Sequence, residues 1–438
     1  MADNNIFVKK AKSALVGNIL IAADKSISHR SLIFSALANG KNTISNLLES
    51  EDVLDTAKAL QQMGVNIQKK DSGTYEVIGS GISGLTEPEN TLDLGNSGTG
   101  VRLLMGLVTP FKFKSFFTGD ESLRSRPMKR IFDPMRQIGA KIIARKEDFL
   151  PAVIEGSDEA LAINYKMPKA SAQIKSSILL AALNIVGKTT IIEPDICRDH
   201  TEIMMQYLGL NLEIENLATN GRKISYQGVQ EFQSKDLSVP NDISSAAFFI
   251  VGALVIPDSR IELKNIGINK LRDGIIETLL EMGADIEIIN KRENAGELVA
   301  DIKVRYSNLR GVEVPANRVA KMIDEYPILA IAAAHATGVT KMNNLSELKA
   351  KESNRLSAIY KNITKCGIKA KMGDDDLEIV GGIMSLDNIP KITTHHDHRI
   401  AMSFFILGLT MKNGIEIDDT SMISTSFPNF LNLFQSVR

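Results

Sequence analysis

The chain repeats itself. A short β-type run, a polar turn, an apolar helical stretch of about a dozen residues, a Gly and a second β-type run recur six times along its 438 residues. The polar turns are Asp24-Lys25-Ser26, Asn96-Ser97-Gly98-Thr99, Ser171-Ala172-Gln173, Asp242-Ile243-Ser244-Ser245, Asp324-Glu325 and Asp397-His398-Arg399. Their first residues are spaced by 72, 75, 71, 82 and 73 positions. A period that steady makes the chain six copies of one supersecondary unit, each too small to bury its own apolar surface.

The helices after the turns are rich in small apolar residues, as in Ala246-Ala247-Phe248-Phe249-Ile250-Val251-Gly252-Ala253. Apolar nearly all round, they belong between sheets rather than on a surface. A second, amphipathic helix follows in each unit and stops at Gly64, Gly139, Gly209, Gly283 or Gly367, where a left-handed cap is expected. An alternating strand comes next, such as Ala284 to Ile289. The unit is therefore βαβαββ, an α/β (α+β) design. Its sixth copy is cut short at Arg438 and lacks its second helix and final strands. The segment Ile6 to Ile21 supplies missing strands in this reading, so the chain ends return to one lobe. Two lobes of three copies are expected, residues 23–240 and residues 1–22 plus 241–438, because closure removes exposed sheet edges.

Hydrophobic content of 44% and charged content of 24% fit packed cores. Lys and Arg number 51 against 52 Asp and Glu, which provides no field for nucleic acid or a membrane surface. Cys197 and Cys366 form neither a disulfide framework nor a zinc pattern and suit a reducing compartment. The longest apolar stretch, Ile243 to Ile256, is shorter than the roughly 20 residues a bilayer span needs. With no export signal in Met1 to Asn5, a cytoplasmic protein is expected.

Capping alone accounts for Ser, Asn and Asp at the turns. It does not account for Lys25, Arg30, Arg102, Lys175 and Arg399, which open helices that otherwise carry little charge. A cation at a helix N-terminus opposes the macrodipole; an anion bound between the two resolves the conflict. Leu123 to Arg130 adds a dense run of cations, with Pro127 where a helix would begin. Lys351-Glu352-Ser353-Asn354-Arg355 places Lys351 and Arg355 on one helical face with Glu352 in reach of Arg355, which is also how an ordinary ion-paired surface reads. Asp324, among cations, would stay ionised as a base must. His395-His396-Asp397-His398 is a poor metal site, because consecutive residues on a turn diverge, and Cys197 has no evident base. No metal is expected.

These motifs resemble those of the 5-enolpyruvylshikimate-3-phosphate synthase family, an enolpyruvyl transferase family of EPT/RTPC-like fold. The residues concerned are Asp24 to Arg30, Leu94 to Arg102, Arg126-Pro127-Met128, Ser171 to Ser176, Arg198 to Glu202, Lys351-Glu352-x-x-Arg355 and Asp397 to Met402. Ser171-Ala172-Gln173 and Arg126-Pro127-Met128-x-Arg130 are similar to the class II branch. The resemblance implies a two-lobe inside-out α/β barrel, a cleft active site and transfer of the enolpyruvyl group of phosphoenolpyruvate to shikimate-3-phosphate without cofactor. It implies that Lys25 touches both substrates and that Ser26, Arg30, Ser171 and Lys351 hold shikimate-3-phosphate. Gly98, Arg126, Arg355 and Arg399 would hold phosphoenolpyruvate, with Gln173 between the ligands. Asp324 would take the proton of the 5-hydroxyl and Glu352 would protonate the methylene carbon. A monomer that is a glyphosate target is implied as well.

The sequence departs from the family pattern in places. Ala22-Ala23 replaces the usual Pro-Gly, His396 precedes Asp397, and no Lys stands before Phe427-Pro428, leaving the departing phosphate to Arg126, Lys25 or His398. A UDP-N-acetylglucosamine enolpyruvyl transferase would carry a Cys before the Arg-Pro of its second unit, and no Cys precedes Cys197. A six-repeat DNA clamp would spread cations along an inner helical face rather than gather them at caps.

Overall fold

Side chains of the polar turns cap the buried helices. The structure, a computed structural model, describes residues 5–218, 220–382 and 388–437, so Met1–Asn4 and Arg438 lie outside it. Asp24 accepts from the Ile27 N–H at 2.8 Å, Ser97 from Gly100 at 3.2 Å, Asp242 from Ser244 at 2.9 Å and Asp397 from Arg399 at 3.0 Å. Each such cap contributes about 1 kcal/mol. The fifth turn differs. Its helix runs Tyr326–His335 with Pro327 in the first turn and Glu325 at the cap position without a side-chain cap bond. Asp324 therefore stands outside the helix, and its carboxylate serves other partners.

Chain division gives two compact units, Ala23–Pro240 with Glu293–Glu297, and Met1–Ala22 with Asn241–Arg292 and Leu298–Arg438. In the first unit three four-stranded sheets share one strand order. The sheet of the second copy runs Leu92–Asp93, Lys114–Thr118, Phe149–Glu155, Lys141–Arg145, a parallel pair followed by an antiparallel hairpin. The leading strand of the first copy is not the run before Asp24. It is Leu237–Ser238, which pairs parallel with Asn39–Ser45 and so closes the unit on itself.

In the other unit Val16–Ile19 leads the fourth copy's sheet beside Arg260–Gly267, and Ile6–Val8 pairs antiparallel with Ile415–Ile417 in a three-stranded sheet. The N-terminal segment thus supplies strands to this unit. The expected absence of a second helix from the sixth copy is corrected: Phe430–Ser436 is helical, and only the final hairpin is replaced, by Ile6–Val8. Its phenylalanines explain why it folds there. Phe434 stacks on Phe249 at 4.0 Å between centroids, and Phe430 meets Phe405 edge-on at 5.4 Å.

Burial of the apolar helices matches their composition. Every residue of Ile243–Val255 and of His398–Gly408 is buried, at about 1.5–3 kcal/mol for each large aliphatic side chain. Gly64, Gly139, Gly209, Gly283 and Gly367 all have positive φ just past the second helices, a conformation glycine adopts without penalty. Gly106 has another function: a Cβ there would lie 2.2 Å from the Ser177 carbonyl oxygen, so Gly98–Val108 and Ala172–Ala182 pack backbone to backbone. Among the described residues no helix is long and apolar enough to cross a membrane.

Candidate active site

In the first unit the starts of three buried helices are tied together by side chains. Arg30 Nη2, from the Lys25–Leu37 helix, donates to Ser176 Oγ at 2.8 Å. Gln173 Nε2 donates to Thr99 Oγ1 at 3.3 Å, linking the other two helices. His29 Nδ1 lies 2.8 Å from Thr56 Oγ1, and a Cβ on Gly100 would stand 2.5 Å from that same oxygen. Lys25, Ser26, Arg30, Gly98, Ser171 and Gln173 therefore sit at one gathering of helix ends, where unpaired N–H groups and dipoles favour anions.

The cations there are aimed by neutral partners as well as acids. Arg126 Nη2 donates to Asn96 Oδ1 at 2.6 Å and Ser122 Oγ at 2.8 Å, and Arg102 Nη1 donates to the Gly98 carbonyl at 3.0 Å. Lys25 pairs with Asp52 at 2.8 Å. Asp52 lies on the second helix of the first copy, too far along the chain for any local pattern to reveal it.

Two expectations need correction here. Lys175 does not face a ligand: its side chain is 0% exposed and pairs with Glu193 at 2.9 Å and Glu202 at 2.6 Å. Burial lowers a lysine's proton affinity, but Glu202 and Glu193 outweigh it and raise the Lys175 pKa above its ordinary value. Pro127 does not begin a helix; the next one runs Lys129–Ile138, with Met128 at the cap position.

The second unit repeats the gathering with more acid. Ser244 Oγ donates to Glu325 Oε1, joining the Ile243–Val255 helix to the Tyr326–His335 helix. Arg272 Nη2 donates to Ser244 Oγ at 2.6 Å and to Asp242 Oδ1 at 3.2 Å. Arg399 Nη1, at the start of the third buried helix, donates to the Asp324 carbonyl at 3.2 Å and lies 3.6 Å from Glu325 Oε1. Glu325 and Arg272 were not singled out from the sequence, since a Glu beside Asp324 and an Arg in a loop carry no pattern of their own.

Arg355 is the hub of this cluster. Its side chain is 1% exposed, and three carboxylates surround it: Asp397 accepts from Nε at 2.8 Å, Asp324 from Nη1 at 3.2 Å, and Glu352 from Nη2. Burial opposes the charge, but Asp397, Glu352 and Asp324 together raise the Arg355 pKa above its ordinary value. Lys351 Nζ also reaches Asp324, at 3.0 Å. Lys351 and Arg355 do not share a helical face, because the helix begins only at Arg355 with Asn354 as its cap. They meet at Asp324 instead.

The remaining candidates are placed elsewhere. His396 is exposed and 3.4 Å from Asp419, while His398 is buried. Cys197 is buried with its Sγ 3.2 Å from Glu193, and burial pushes its thiol up to about 12.

Six copies of one α/β unit, with cations and carboxylates gathered at the ends of buried helices, make a repeat protein whose charged helix ends suit anionic ligands. The chain belongs to the EPSP synthase (3-phosphoshikimate 1-carboxyvinyltransferase) family, whose model matches residues 9–434. It is 47% identical over 423 residues to the 3-phosphoshikimate 1-carboxyvinyltransferase of Paramagnetospirillum magneticum, covering 97% of this chain and 95% of that one. Its counterpart from a Chelativorans species is 48% identical over 430 residues, with coverage of 97% and 95%. Among solved structures, an EPSP synthase from Acinetobacter baumannii superposes with a TM-score of 0.88 at 40% identity, covering 99% of this chain and 98% of that one.

Proposed function

We propose that the family's reaction is carried by an anion-holding set of cations contributed by both clusters and by a pair of working carboxylates, Asp324 and Glu352, in the second. The enzyme transfers the 1-carboxyvinyl group of phosphoenolpyruvate to the 5-hydroxyl of shikimate-3-phosphate and releases phosphate, a step of the shikimate pathway towards chorismate and the aromatic amino acids. Ser26, Arg30, Ser171 and Lys351 hold shikimate-3-phosphate. Gly98, Arg126, Arg355 and Arg399 hold phosphoenolpyruvate, and Lys25 and Gln173 serve both. Asp324 takes the proton of the 5-hydroxyl as its oxygen bonds to C2, and Glu352 gives a proton to the methylene carbon. The resulting tetrahedral ketal phosphate then eliminates: the C2–O bond to phosphate breaks while the methyl carbon returns a proton to the Glu352 carboxylate, which restores the double bond and leaves the enolpyruvyl ether. With no Lys before Phe427, that phosphate is left to Arg126, Lys25 or His398.

One observation carries the assignment of acid and base. Nη1 of Arg355 holds Asp324 and Nη2 holds Glu352, with Asp397 Oδ1 also on Nη2 at 3.3 Å, so one planar guanidinium fork positions both carboxylates. A donor carboxylate arriving at that fork competes with Glu352 for Nη2. A carboxylate that loses a guanidinium partner holds a proton more readily, which suits a group that must act as an acid. Binding of the donor thereby readies its own proton source, and no metal or organic cofactor takes part. The protein works as a cytoplasmic monomer.

Phosphate release from phosphoenolpyruvate, measured with shikimate-3-phosphate and separately with UDP-N-acetylglucosamine, tests the reading. Turnover with the first acceptor alone is expected; turnover with the second would overturn it.

A further inference from the structure

Arg30 is held by an arrangement of unusual completeness for a binding cation. Its Nε donates to Thr201 Oγ1 at 2.7 Å and its Nη2 to Ser176 Oγ at 2.8 Å, and the two hydroxyls stand 2.7 Å apart. Nη1 donates to the Ser26 carbonyl at 2.9 Å, one turn back in its own helix. A planar guanidinium tied along one edge to two oxygens, and through its third nitrogen to a carbonyl, keeps one plane and one rotation. Hydroxyls orient the cation through a dipole and bring no charge of their own to compete with an anion.

What holds the hydroxyls is a buried ion pair. Ser176 follows Lys175 on the Ala172–Ala182 helix, and Thr201 precedes Glu202 on the His200–Tyr207 helix. The two helices are thus joined by two adjacent rungs, Lys175 to Glu202 at 2.6 Å and Ser176 to Thr201 at 2.7 Å. Glu193, on the neighbouring strand Lys188–Glu193, braces the same ammonium at 2.9 Å. Apolar side chains would join two helices at least as strongly, but they tolerate sliding. A buried charge pair does not, since on sliding Glu202 loses its ammonium partner and Lys175 loses one of its two carboxylates. Neither Lys175 nor Glu202 is exposed enough to meet a ligand, so their effect must pass through Ser176, Thr201 and Arg30.

We propose that Thr201 and Ser176 are positioning residues for the acceptor substrate, fixing the Arg30 guanidinium in the plane in which it receives an oxyanion of shikimate-3-phosphate, with the Lys175–Glu202 pair setting the register of the two hydroxyls. The proposal rests on the reading above that Arg30 holds that substrate. It makes substrate affinity depend on a hydroxyl that the substrate never touches.

Steady-state kinetics of Thr201→Val, Thr201→Ser, Ser176→Ala and Arg30→Gln test it, with thermal unfolding as a check on each fold. Thr201→Val is expected to raise KM for shikimate-3-phosphate about tenfold, as loss of a hydrogen bond to a charged group does, leaving KM for phosphoenolpyruvate unchanged and kcat within about twofold. Thr201→Ser keeps the hydroxyl and is expected to restore the parent KM. Ser176→Ala should act in the same direction as Thr201→Val, and it carries the test if the valine variant does not fold. Parent-like KM in both hydroxyl deletions beside an impaired Arg30→Gln would overturn the inference alone. Equal impairment of Thr201→Val and Thr201→Ser would do the same, since packing would then be the cause. An Arg30→Gln enzyme with the parent KM for shikimate-3-phosphate would overturn the substrate reading and the inference with it.

Discussion

Gly98 and Arg126 leave no spare room between them: a Cβ on Gly98 would stand 3.0 Å from Arg126 Nη1 and 3.1 Å from Arg102 Nη1. Gly98 is the first residue of its helix, and the Arg102 bond to its carbonyl holds the backbone in place. The glycine is required by space rather than by backbone conformation. Both guanidinium groups are side-chain ends, so they yield by a few tenths of an ångström instead of breaking the helix.

Gly98→Ala should therefore displace the Arg126 guanidinium and leave the fold intact. Overpacking of this kind typically costs 1–3 kcal/mol, so, with that cost falling on donor binding, KM for phosphoenolpyruvate is expected to rise by roughly five- to 160-fold. Glyphosate, with its carboxylate and phosphonate, should compete with phosphoenolpyruvate in the parent enzyme and inhibit the alanine variant less. Inhibition constants for both enzymes in the presence of shikimate-3-phosphate check this; identical constants would show that Gly98 does not shape the donor pocket.

Acid stability follows from two histidines, the buried His29 in one unit and the half-buried His335 in the other. Burial, with Lys25 and Arg30 nearby, lowers His29 to about 3, and burial lowers His335 to about 4. Both are neutral in the folded protein, whereas the unfolded chain takes up protons near pH 6.5. Stability is thus full above pH 6.5 and falls below it, by about 1.4 kcal/mol per pH unit for each histidine, until about pH 4 for His335 and about pH 3 for His29. Urea midpoints measured from pH 7 to pH 5 should fall, and His29→Gln should flatten the fall for the unit that contains it. An unchanged slope in that variant would contradict the assignment.

Both thiols should be silent in the native enzyme. Burial pushes Cys197 and Cys366 up to about 12, so at pH 8 almost no thiolate is available to react. An aromatic disulfide reagent is expected to titrate neither cysteine until the protein is unfolded. Rapid native labelling that abolished turnover would point instead to a cysteine-dependent transferase.

Much of this was legible in the sequence, for identifiable reasons. Asp24, Ser97, Ser171, Asp242 and Asp397 act locally, bonding to backbone two or three residues on, so their positions alone announced the helix starts. Positive φ at Gly64 and its four counterparts was equally local. The pattern failed where a residue's partner lies on another element. Lys175 and Arg30 look alike in sequence, each a cation opening an apolar helix, yet the first is neutralised from within by Glu193 and Glu202. Nothing in spacing says whether an internal acid or a ligand answers a cation. Lys351 is the complementary case: the i, i+4 spacing to Arg355 suggests one helical face, but the helix does not run back through Asn354, which caps it. Nothing local marks the helix Phe430–Ser436, because its apolar face is defined by Phe249, from the fourth copy, and by Phe405, on the first helix of its own copy.

The shared fork of Arg355, with Asp324 on one nitrogen and Glu352 on the other, is tested most directly by the turnover of Asp324→Asn and Glu352→Gln. Each substitution keeps the shape and a hydrogen-bond acceptor while removing the capacity to carry a proton. Phosphate released from phosphoenolpyruvate and shikimate-3-phosphate, at saturating concentrations of both, should fall about 10²–10⁴-fold in each purified variant, with thermal unfolding close to the parent's. A folded variant of either kind that turns over near the parent rate would contradict the account.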